Sequence, residues 1–306
     1  MELIKPGINV NFVGKMRMFF YFSITLTIVS LIYIIARGGP IMGIDFAGGT
    51  IVQVKYSQAT SVDKIREALK PLNLEGSVIQ EVGSRSDNEF LLRTEMSGAD
   101  LKGLSDKIED AMAAVYGQKG FDIRRVEAVG PKAGKDLTQK GILAVCFSLL
   151  GMLLYISWRY EFRFALGGII ALVHDVIVSV AVFTILGGEF TLTIIAALLT
   201  IIGYSINDTV VVFDRIRENM RKSPNQELGE VINASINQTL SRTILTSFTV
   251  FLVLIALYFF GGVVIHDFAF ILLVGVVFGT YSSVFIASPL VLVWESVFPS
   301  KRKRKK

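Results

Sequence analysis

The sequence predicts a polytopic α-helical membrane protein with six transmembrane helices and one α+β domain inserted between helices 1 and 2. The composition is 52% hydrophobic with a mean hydropathy of +0.56, which is too apolar for a soluble domain of 306 residues. A bilayer core of about 30 Å needs roughly 20 apolar residues per helix. Six stretches meet that requirement, at residues 18–36, 141–158, 164–186, 190–213, 244–265 and 268–293.

These stretches divide the chain into four parts. Residues 1–36 form the N-terminus and helix 1, and we expect them to remain in the protein because no small-residue cleavage site follows them. Residues 37–140 form the inserted domain. Residues 141–295 hold helices 2–6, and residues 296–306 form a basic tail. In the polar loop 214–241 we expect helix 4 to continue, a turn to follow, and an amphipathic helix to lead into helix 5.

Positive charge is distributed unevenly along the chain, and this predicts its orientation. Segment 37–140 is neutral, with 15 Lys/Arg and 15 Asp/Glu, whereas the other 16 Lys/Arg lie in the N-terminal arm, around 159–163, in 215–242 and in the tail. By the positive-inside rule both termini lie in the cytoplasm and the inserted domain lies on the far side of the membrane, which is the periplasm if the cell is a Gram-negative bacterium. We expect the tail at 301–306 to contact anionic lipid rather than nucleic acid.

The inserted domain shows the alternating pattern of an α+β fold. Residues 50–56, 78–82, 90–94 and 121–129 predict four strands, and two stretches with helical spacing lie between them. The order βαββαβ is that of a ferredoxin-like domain, with two helices on one face of an antiparallel sheet. The predicted apolar helix faces are Val62, Ile65, Leu69 and Leu72 after an N-cap at Ser61, and Leu101, Leu104, Ile108 and Val115 after Ser97 and Asp100.

Two charged residues stand out among the apolar helices. Asp208 lies in the fourth apolar stretch, about 9 Å from its inner end, and Arg242 lies just before the fifth stretch. Ionised groups at membrane depth are costly, so they usually face a protein interior and mark a proton or ion path. We therefore predict a functional role for Asp208. Arg242 has two open interpretations, a partner of Asp208 or a side chain that extends to the inner membrane boundary.

Polar residues form a stripe on each of these two helices. At 100° per residue, the members of a stripe lie within about a third of the helix circumference. Two stripes on consecutive antiparallel helices can face each other and hold water between them. The stripe on helix 4 is Thr193, Thr200, Tyr204, Asn207 and Asp208, and the stripe on helix 5 is Ser235, Thr239, Arg242, Thr246 and Thr249.

Helix 3 carries an adjacent pair, His174 and Asp175, in mid-membrane. His174 is either a proton-relay residue or the source of a structural hydrogen bond to a neighbouring helix. Asp175 shares a face with small residues that favour close packing, as do the small residues at intervals of four on helix 6. Asp175 and Asp208 on adjacent helices could in principle share a proton, as the two aspartates of an intramembrane aspartyl protease do. This function is disfavoured because the two residues differ in apparent depth in the membrane and a nearby arginine would keep a carboxylate ionised. His266 is expected in a short, solvated turn before helix 6.

Several motifs, in a consistent order along essentially the whole chain, resemble those of the SecD/SecF family of protein-export membrane proteins. They are GIDFAGGT at 43–50, VGP at 129–131, RFALG at 163–167, HD at 174–175, GYSINDTVVVFDRIRE at 203–218 and NQTLSRT at 237–243.

This resemblance implies an accessory component of the Sec protein translocase with the topology of resistance–nodulation–division (RND) transporters. The family uses a proton gradient, or sodium in some members, to help pull a secreted polypeptide across the membrane. The family's coupling carboxylate and arginine correspond to Asp208 and Arg242. The secondary candidates are Asn207, Asp214, Arg215, His174 and Asp175.

The implied partners are SecD, which would supply the second six-helix half, the SecYEG channel and a preprotein driven by SecA, with YajC and YidC in the wider assembly. No enzyme activity, cofactor or metal is implied, and segment 37–140 contains neither His nor Cys. We hypothesise that Asp208 and Arg242 form a gated ion pair at a water path between this chain and SecD.

The competing function is one half of an RND-type proton-coupled efflux transporter for small molecules. So small an inserted domain leaves little room for a drug-sized pocket. A membrane scaffold without transport activity would leave Asp208 unexplained.

Overall fold

A computed structural model describes residues 9–74, 76–82, 87–94 and 101–298. Ser97, Asp100 and the tail residues 301–306 lie outside them. The elements in chain order are α1 (Phe12–Ala36), β1 (Ile41–Met42), α2 (Ile44–Ala47), β2 (Gly49–Tyr56), α3 (Val62–Leu69), β3 (Val78–Val82), β4 (Glu89–Thr94), α4 (Leu101–Tyr116), β5 (Phe121–Val129), α5 (Pro131–Arg159), α6 (Phe162–Ile185), β6 (Glu189–Phe190), α7 (Leu192–Lys222), α8 (Leu228–Phe260), α9 (Gly262–Ser282), a π-helical segment (Ser283–Ala287) and α10 (Ser288–Val297).

The chain divides into two compact units. The helical unit contains the chain up to Ile41, Leu143–Gly188 and the residues from Thr193 onward, and the α+β unit contains Met42–Ile142 with Glu189–Leu192. Within the described residues, six helices are long and apolar enough to cross a membrane, the sixth being α9, the π-helical segment and α10 together. The predicted multi-pass fold is therefore confirmed.

The helix ends refine the predicted boundaries. α7 continues through the polar loop to Lys222, and α8 begins at Leu228, as expected. The predicted external turn at His266 is wrong, because the chain turns at Gly261, between α8 and α9, and at Gly262, which has a φ of 71°. His266 lies within α9, where its Nδ1 is 3.1 Å from Asp267 Oδ1 and its ring is 4.1 Å from that of Tyr258.

Glycines bring α9 close to α7. A Cβ atom at Gly275 would lie 2.3 Å from Ile201 Cγ1, and one at Gly279 would lie 3.0 Å from Ser205 Cβ. The predicted close-packing face on helix 6 is therefore confirmed. Its Gly275 and Gly279 contact α7, which is helix 4, and its Ala287 lies against Gly167 of α6, which is helix 3.

The RFALG motif holds the ends of three membrane helices together. Arg163, at the start of α6 and 6% exposed, pairs through Nη1 with Glu295 Oε2 on α10 at 2.5 Å. The next residue, Phe164, packs edge-on against Phe213 of α7, with ring centroids 5.0 Å apart. These contacts fix α6 (transmembrane helix 3), α7 (helix 4) and α10 (the last part of helix 6) relative to one another.

The α+β unit has the predicted ferredoxin-like topology. Its sheet has the strand order β3-β4-β2-β5 with antiparallel neighbours. Alternate residues of the central strands, such as Val52, Val54 and Leu92, are buried with apolar residues of α3 and α4. Ser61 caps α3 by accepting a hydrogen bond from the Lys64 backbone N–H at 3.5 Å.

One predicted core position of this unit is wrong. Val115 is 57% exposed, whereas Met112, at the spacing of four from Ile108, is fully buried. Tyr116 covers the core at the last turn of α4, where its ring lies 4.7 Å from that of Tyr56, so Val115 is left outside.

The GIDFAGGT motif forms a compact turn that the apolar periodicity does not predict. It contains the one-turn helix α2, followed by Gly48 and Gly49 with φ of 78° and 124°, which favour glycine. A Cβ atom at Gly49 would lie 2.6 Å from Thr94 O. Asp45 Oδ2 accepts from the Leu192 backbone N–H at 2.8 Å, and β1 pairs with β6. This turn therefore holds 189–192 within the α+β unit.

Candidate functional site

Asp208 on α7 is buried between helices of this chain and is only 3% exposed. Ser247 Oγ on α8 donates a hydrogen bond to Asp208 Oδ2 at 3.2 Å. The same hydroxyl lies 2.7 Å from Thr280 Oγ1 on α9 and accepts from Tyr204 OH on α7 at 3.2 Å. Because hydroxyl groups can both donate and accept, this group of residues can satisfy the carboxyl group whether or not it carries a proton.

Arg242 is exposed on the outer surface of α8. It precedes Ser247 by five residues, or about 7.5 Å along the helix. Among the described residues, its guanidinium forms no side-chain hydrogen bond and no ion pair at 4.0 Å or less. The hypothesised ion pair with Asp208 is therefore open in this conformation. An exposed guanidinium at this depth needs a partner outside the chain or a path to the membrane boundary, so both interpretations of Arg242 remain.

The polar stripe predicted on helix 4, which is α7 in the structure, occupies two environments. Tyr204 is half-buried and Asp208 is buried, and both contact Ser247. Thr200 and Asn207 are exposed, so these two residues do not join the Asp208 site within this chain. The arrangement in which the two stripes face each other therefore does not include Thr200 and Asn207.

The polar stripe on helix 5 is also divided. Arg242 and Thr249 are exposed, whereas Ser235 and Thr239 of the predicted stripe are buried. These two residues belong to a buried row at intervals of four that continues through Thr243 and Ser247. Arg242 is offset from this row by one residue, about 100°, so the predicted inward face holds for Ser235 and Thr239 and is wrong for Arg242 and Thr249.

Asp175 on α6 is the most enclosed carboxylate of the helical unit, with 0% exposure. His174 Nδ1 lies 2.9 Å from Asp175 Oδ1. Ser205 Oγ on α7 donates to Asp175 Oδ2 at 2.7 Å, and Ser282 Oγ on α9 donates to the same oxygen at 2.8 Å. Asp175 therefore connects three membrane helices through one carboxylate.

His174 bonds its own neighbour in the sequence rather than another helix. Its Nε2 is buried and has no hydrogen-bond partner among the described residues, and its ring lies 6.1 Å from that of Phe278. The interpretation of His174 as the source of a structural hydrogen bond to a neighbouring helix is wrong, because its ring nitrogens bond only Asp175, on the same helix, among the described residues. The relay interpretation of His174 stays a prediction.

The secondary candidates Asp214 and Arg215 lie apart from Asp208, near the end of α7. Asp214 Oδ1 is 3.8 Å from Arg159 Nη2, and Arg215 donates to Gln238 Oε1 and Glu218 Oε2, both at 2.6 Å. Burial, followed by the hydrogen bond and charge of Asp214, raises the pKa of Tyr160 in the loop between α5 and α6. These contacts connect helix ends to the neighbouring loop.

The residues that complete the Asp208 and Asp175 sites are hydroxyl side chains that sequence reasoning missed. Ser247, Thr280, Ser205 and Ser282 give little signal, since a serine or threonine within a helix can bond its own backbone. Thr280, for example, donates to Val276 O at 2.8 Å. The spacing of four along α8 is the one pattern that could have identified Ser247.

The six apolar helices, the inserted α+β domain and the buried carboxylates define a multi-pass membrane protein with ionisable groups inside its helical bundle. Two family models match the chain: "SecD/SecF GG Motif" over residues 33–60 and "Protein export membrane protein SecD/SecF, C-terminal" over residues 107–297. The chain therefore belongs to the SecD/SecF family of protein-export membrane proteins.

Relatives named "Protein translocase subunit SecF" match almost the whole chain. The protein from Magnetococcus marinus is 46% identical, with 99% of this chain and 97% of the relative aligned. The protein from Calditerrivibrio nitroreducens is 42% identical, with 97% and 98% aligned. This kinship favours the export interpretation over the efflux alternative.

Solved structures of SecDF share the fold. The crystal structure of SecDF, a translocon-associated membrane protein from Thermus thermophilus, superposes with a TM-score of 0.83 and 36% identity, covering 97% of this chain and 40% of that chain. A SecDF structure in a super-membrane-facing form gives a TM-score of 0.72 and 35% identity, covering 100% and 41%. This chain thus spans about 40% of the length of those SecDF chains.

Proposed function

We propose that this chain is a Sec translocase subunit that uses the proton motive force to assist the movement of secreted proteins across the inner membrane. Asp208 binds the coupling proton, and Arg242 is its gating partner. The observation that carries the proposal is the burial of Asp208 among hydroxyl groups at membrane depth. Buried ionisable residues in membrane helices are expensive and typically belong to ion paths.

The exposed polar face of the two helices supports the need for a partner. Asn207 is exposed within the apolar span of α7, and Arg242 is exposed just before the apolar span of α8, where lipid tails would not solvate them. SecD is the partner proposed for this face, because related transporters join two six-helix halves. The chain's 40% share of a SecDF chain fits one half of such an assembly.

The proposed cycle has three steps. A proton from outside neutralises Asp208 and releases Arg242, the helices then shift, and the shift moves the inserted domain that holds the emerging polypeptide. One charge that crosses 100 mV supplies about 2.3 kcal/mol. That amount biases a two-state element but does not unfold a domain in one step, so transport requires repeated cycles.

The proposed setting is the bacterial inner membrane, with both termini in the cytoplasm and the inserted domain in the periplasm. The client is a preprotein that SecA has driven into the SecYEG channel, and YajC and YidC complete the wider assembly. The basic tail contacts anionic lipid. These assignments rest on the family and on the distribution of Lys and Arg.

Export of a reporter from a strain depleted of the native subunit tests this function. Asp208→Asn keeps the size of the side chain but cannot bind and release the proton, so we expect the export enhancement to be lost while the protein still assembles. Asp267→Asn is the matched control, since Asp267 is an exposed carboxylate on α9 whose side chain is 49% accessible.

An uncoupler gives the second comparison in the same assay. It should reduce wild-type export to the level of Asp208→Asn and leave the variant unchanged. Full, uncoupler-sensitive export by Asp208→Asn would refute the assignment of Asp208.

A further inference from the structure

A second carboxylate in the helical unit is not used by the proposed cycle. Asp175 has no exposed surface, and both serines that donate to it come from other helices. Ser205 is on α7 and Ser282 is on α9, at 2.7 and 2.8 Å from Asp175 Oδ2. One carboxylate oxygen therefore holds α7 and α9 together.

Both of these helices also form the Asp208 site. On α7, Ser205 precedes Asp208 by three residues, so the two side chains lie about one turn apart. On α9, Ser282 follows Thr280 by two residues, and Thr280 lies 2.7 Å from the Ser247 hydroxyl that donates to Asp208. A shift of α7 relative to Asp175 therefore moves Asp208, and a shift of α9 moves the Thr280 hydroxyl that contacts Ser247.

The helix geometry next to Ser282 adds to this connection. α9 ends at Ser282, and Ser283–Ala287 continues as a π-helical segment, an arrangement often found at functional sites. Ser283 Oγ lies 2.9 Å from Thr209 Oγ1 on α7, and Ser288 Oγ donates to Ser283 O at 3.0 Å. The start of this segment is thus fixed to α6 through Asp175 and to α7 through Thr209.

We propose that Asp175 is a positioning residue for the coupling site. By accepting from Ser205 and Ser282 it sets the relative position of α7 and α9, and so holds the Ser247–Thr280 pair against Asp208. The inference rests on the proposed function for its role in export, but the geometric coupling of the two carboxylates can be tested without export.

The test is the pH titration of Asp208 in the full-length chain in native lipid, followed by difference infrared spectroscopy. Subtraction of the Asp208→Asn spectrum assigns the carboxyl band to Asp208. Two charged or titratable side chains interact electrostatically with Asp208, namely Tyr204 on α7 and Arg242 on α8. His174 and Asp175 on α6 are connected to α7 through Ser205.

Three variants interrupt the network to different degrees. Ser205→Ala and Ser282→Ala each remove one donor to Asp175 with a minimal change of shape, and each should shift the proton affinity of Asp208 by about threefold to tenfold. Asp175→Asn keeps an acceptor oxygen for both serines and should shift it less. The pH profile of export should move in parallel with these shifts.

Ser179→Ala is the matched control. Ser179 lies on α6 one turn after Asp175, is fully buried, and its hydroxyl has no hydrogen-bond partner among the described residues. This variant should leave the Asp208 titration unchanged. Equal titrations for Ser205→Ala, Ser282→Ala and Ser179→Ala would overturn the positioning role.

The two proposals fail in different ways. If Asp208→Asn exports normally, the proposed function falls, while the infrared shift still decides the positioning of Asp208. If Asp208→Asn abolishes enhanced export but the serine variants titrate as the wild type does, the proposed function stands and the role of Asp175 falls.

Discussion

The two carboxylates inside the helical unit differ in how fully the protein surrounds them. Asp175 has no exposed surface and contacts an imidazole and two serine hydroxyls. Asp208 receives a hydrogen bond from Ser247 and follows directly after the exposed Asn207. Burial alone therefore does not identify a coupling group. A fully bonded carboxylate suits an anchor, whereas one at the border of an exposed polar face suits a group whose charge changes.

The largest expected effect separates the two carboxylates by stability. Asp175→Ala removes the acceptor of the buried Ser205 hydroxyl and the partner of His174 Nδ1, while Ser282 keeps the Gly279 carbonyl at 3.1 Å. At about 1–3 kcal/mol for each unsatisfied buried group, we expect the free energy of unfolding to fall by about 3 kcal/mol. Asp208→Ala removes one hydrogen bond, and we expect a loss of about 1 kcal/mol. Denaturant unfolding in detergent micelles measures both. Equal losses would remove the distinction between anchor and coupling group.

A buried tyrosine in the inserted domain provides a reference that is independent of the membrane helices. Burial, with a smaller effect of Tyr116, raises the pKa of Tyr56 above the ordinary value of 10.0. Above pH 10 the unfolded chain loses this proton while the folded domain retains it, so the stability contributed by neutral Tyr56 falls by up to about 1.4 kcal/mol per pH unit. Below pH 10 that contribution is complete.

Urea unfolding of the inserted domain, followed by circular dichroism in the full chain, measures this slope. Tyr56→Phe should abolish it, and neither protein should change between pH 5 and pH 8 on account of this group. A slope that persists unchanged in Tyr56→Phe would assign it to another residue. Because Tyr56 contributes no pH dependence between pH 5 and pH 8, a dependence of export on pH in that range would be assigned to groups in the membrane helices.

The smallest expected effect concerns the geometry of Arg242 rather than its charge. Arg242→Lys keeps the positive charge but loses the planar, two-pronged donor geometry, so we expect a partial loss of gradient-dependent export. In the proposed paired state with Asp208, the loss of one hydrogen bond of about 1 kcal/mol corresponds to about fivefold in rate. Arg242→Gln removes the charge and should abolish the enhancement. Equal export by both variants and the wild type would favour the interpretation of Arg242 as a residue that only extends to the membrane boundary.

The membrane spans and the inserted domain could be predicted because they depend on length and periodicity. Twenty apolar residues in a row and the order βαββαβ are visible without tertiary contacts. Asp208 was also predictable, since a lone carboxylate in an apolar span is costly. The turn at 43–50 escaped the periodicity because its conformation depends on two glycines with positive φ.

The environment of the candidate site could not be predicted, for two physical reasons. A rotation of one residue on α8 decides whether Arg242 or Thr243 faces the interior, and sequence stripes do not resolve 100°. The hydroxyls of Ser205 and Ser282 meet at one oxygen of Asp175, and the close approach of α7 and α9 that this requires depends on Gly275 and Gly279. Such contacts depend on tertiary packing across residues far apart in the sequence.

Proton flux into proteoliposomes that contain the chain with SecD tests the difference between the two carboxylates most directly. Under an imposed proton gradient we expect flux for the wild type, a loss of at least about tenfold for Asp208→Asn, and most of the flux retained for Asp175→Asn, which keeps an acceptor for its serines. Wild-type flux through Asp208→Asn, or an equal loss in both variants, would contradict this account.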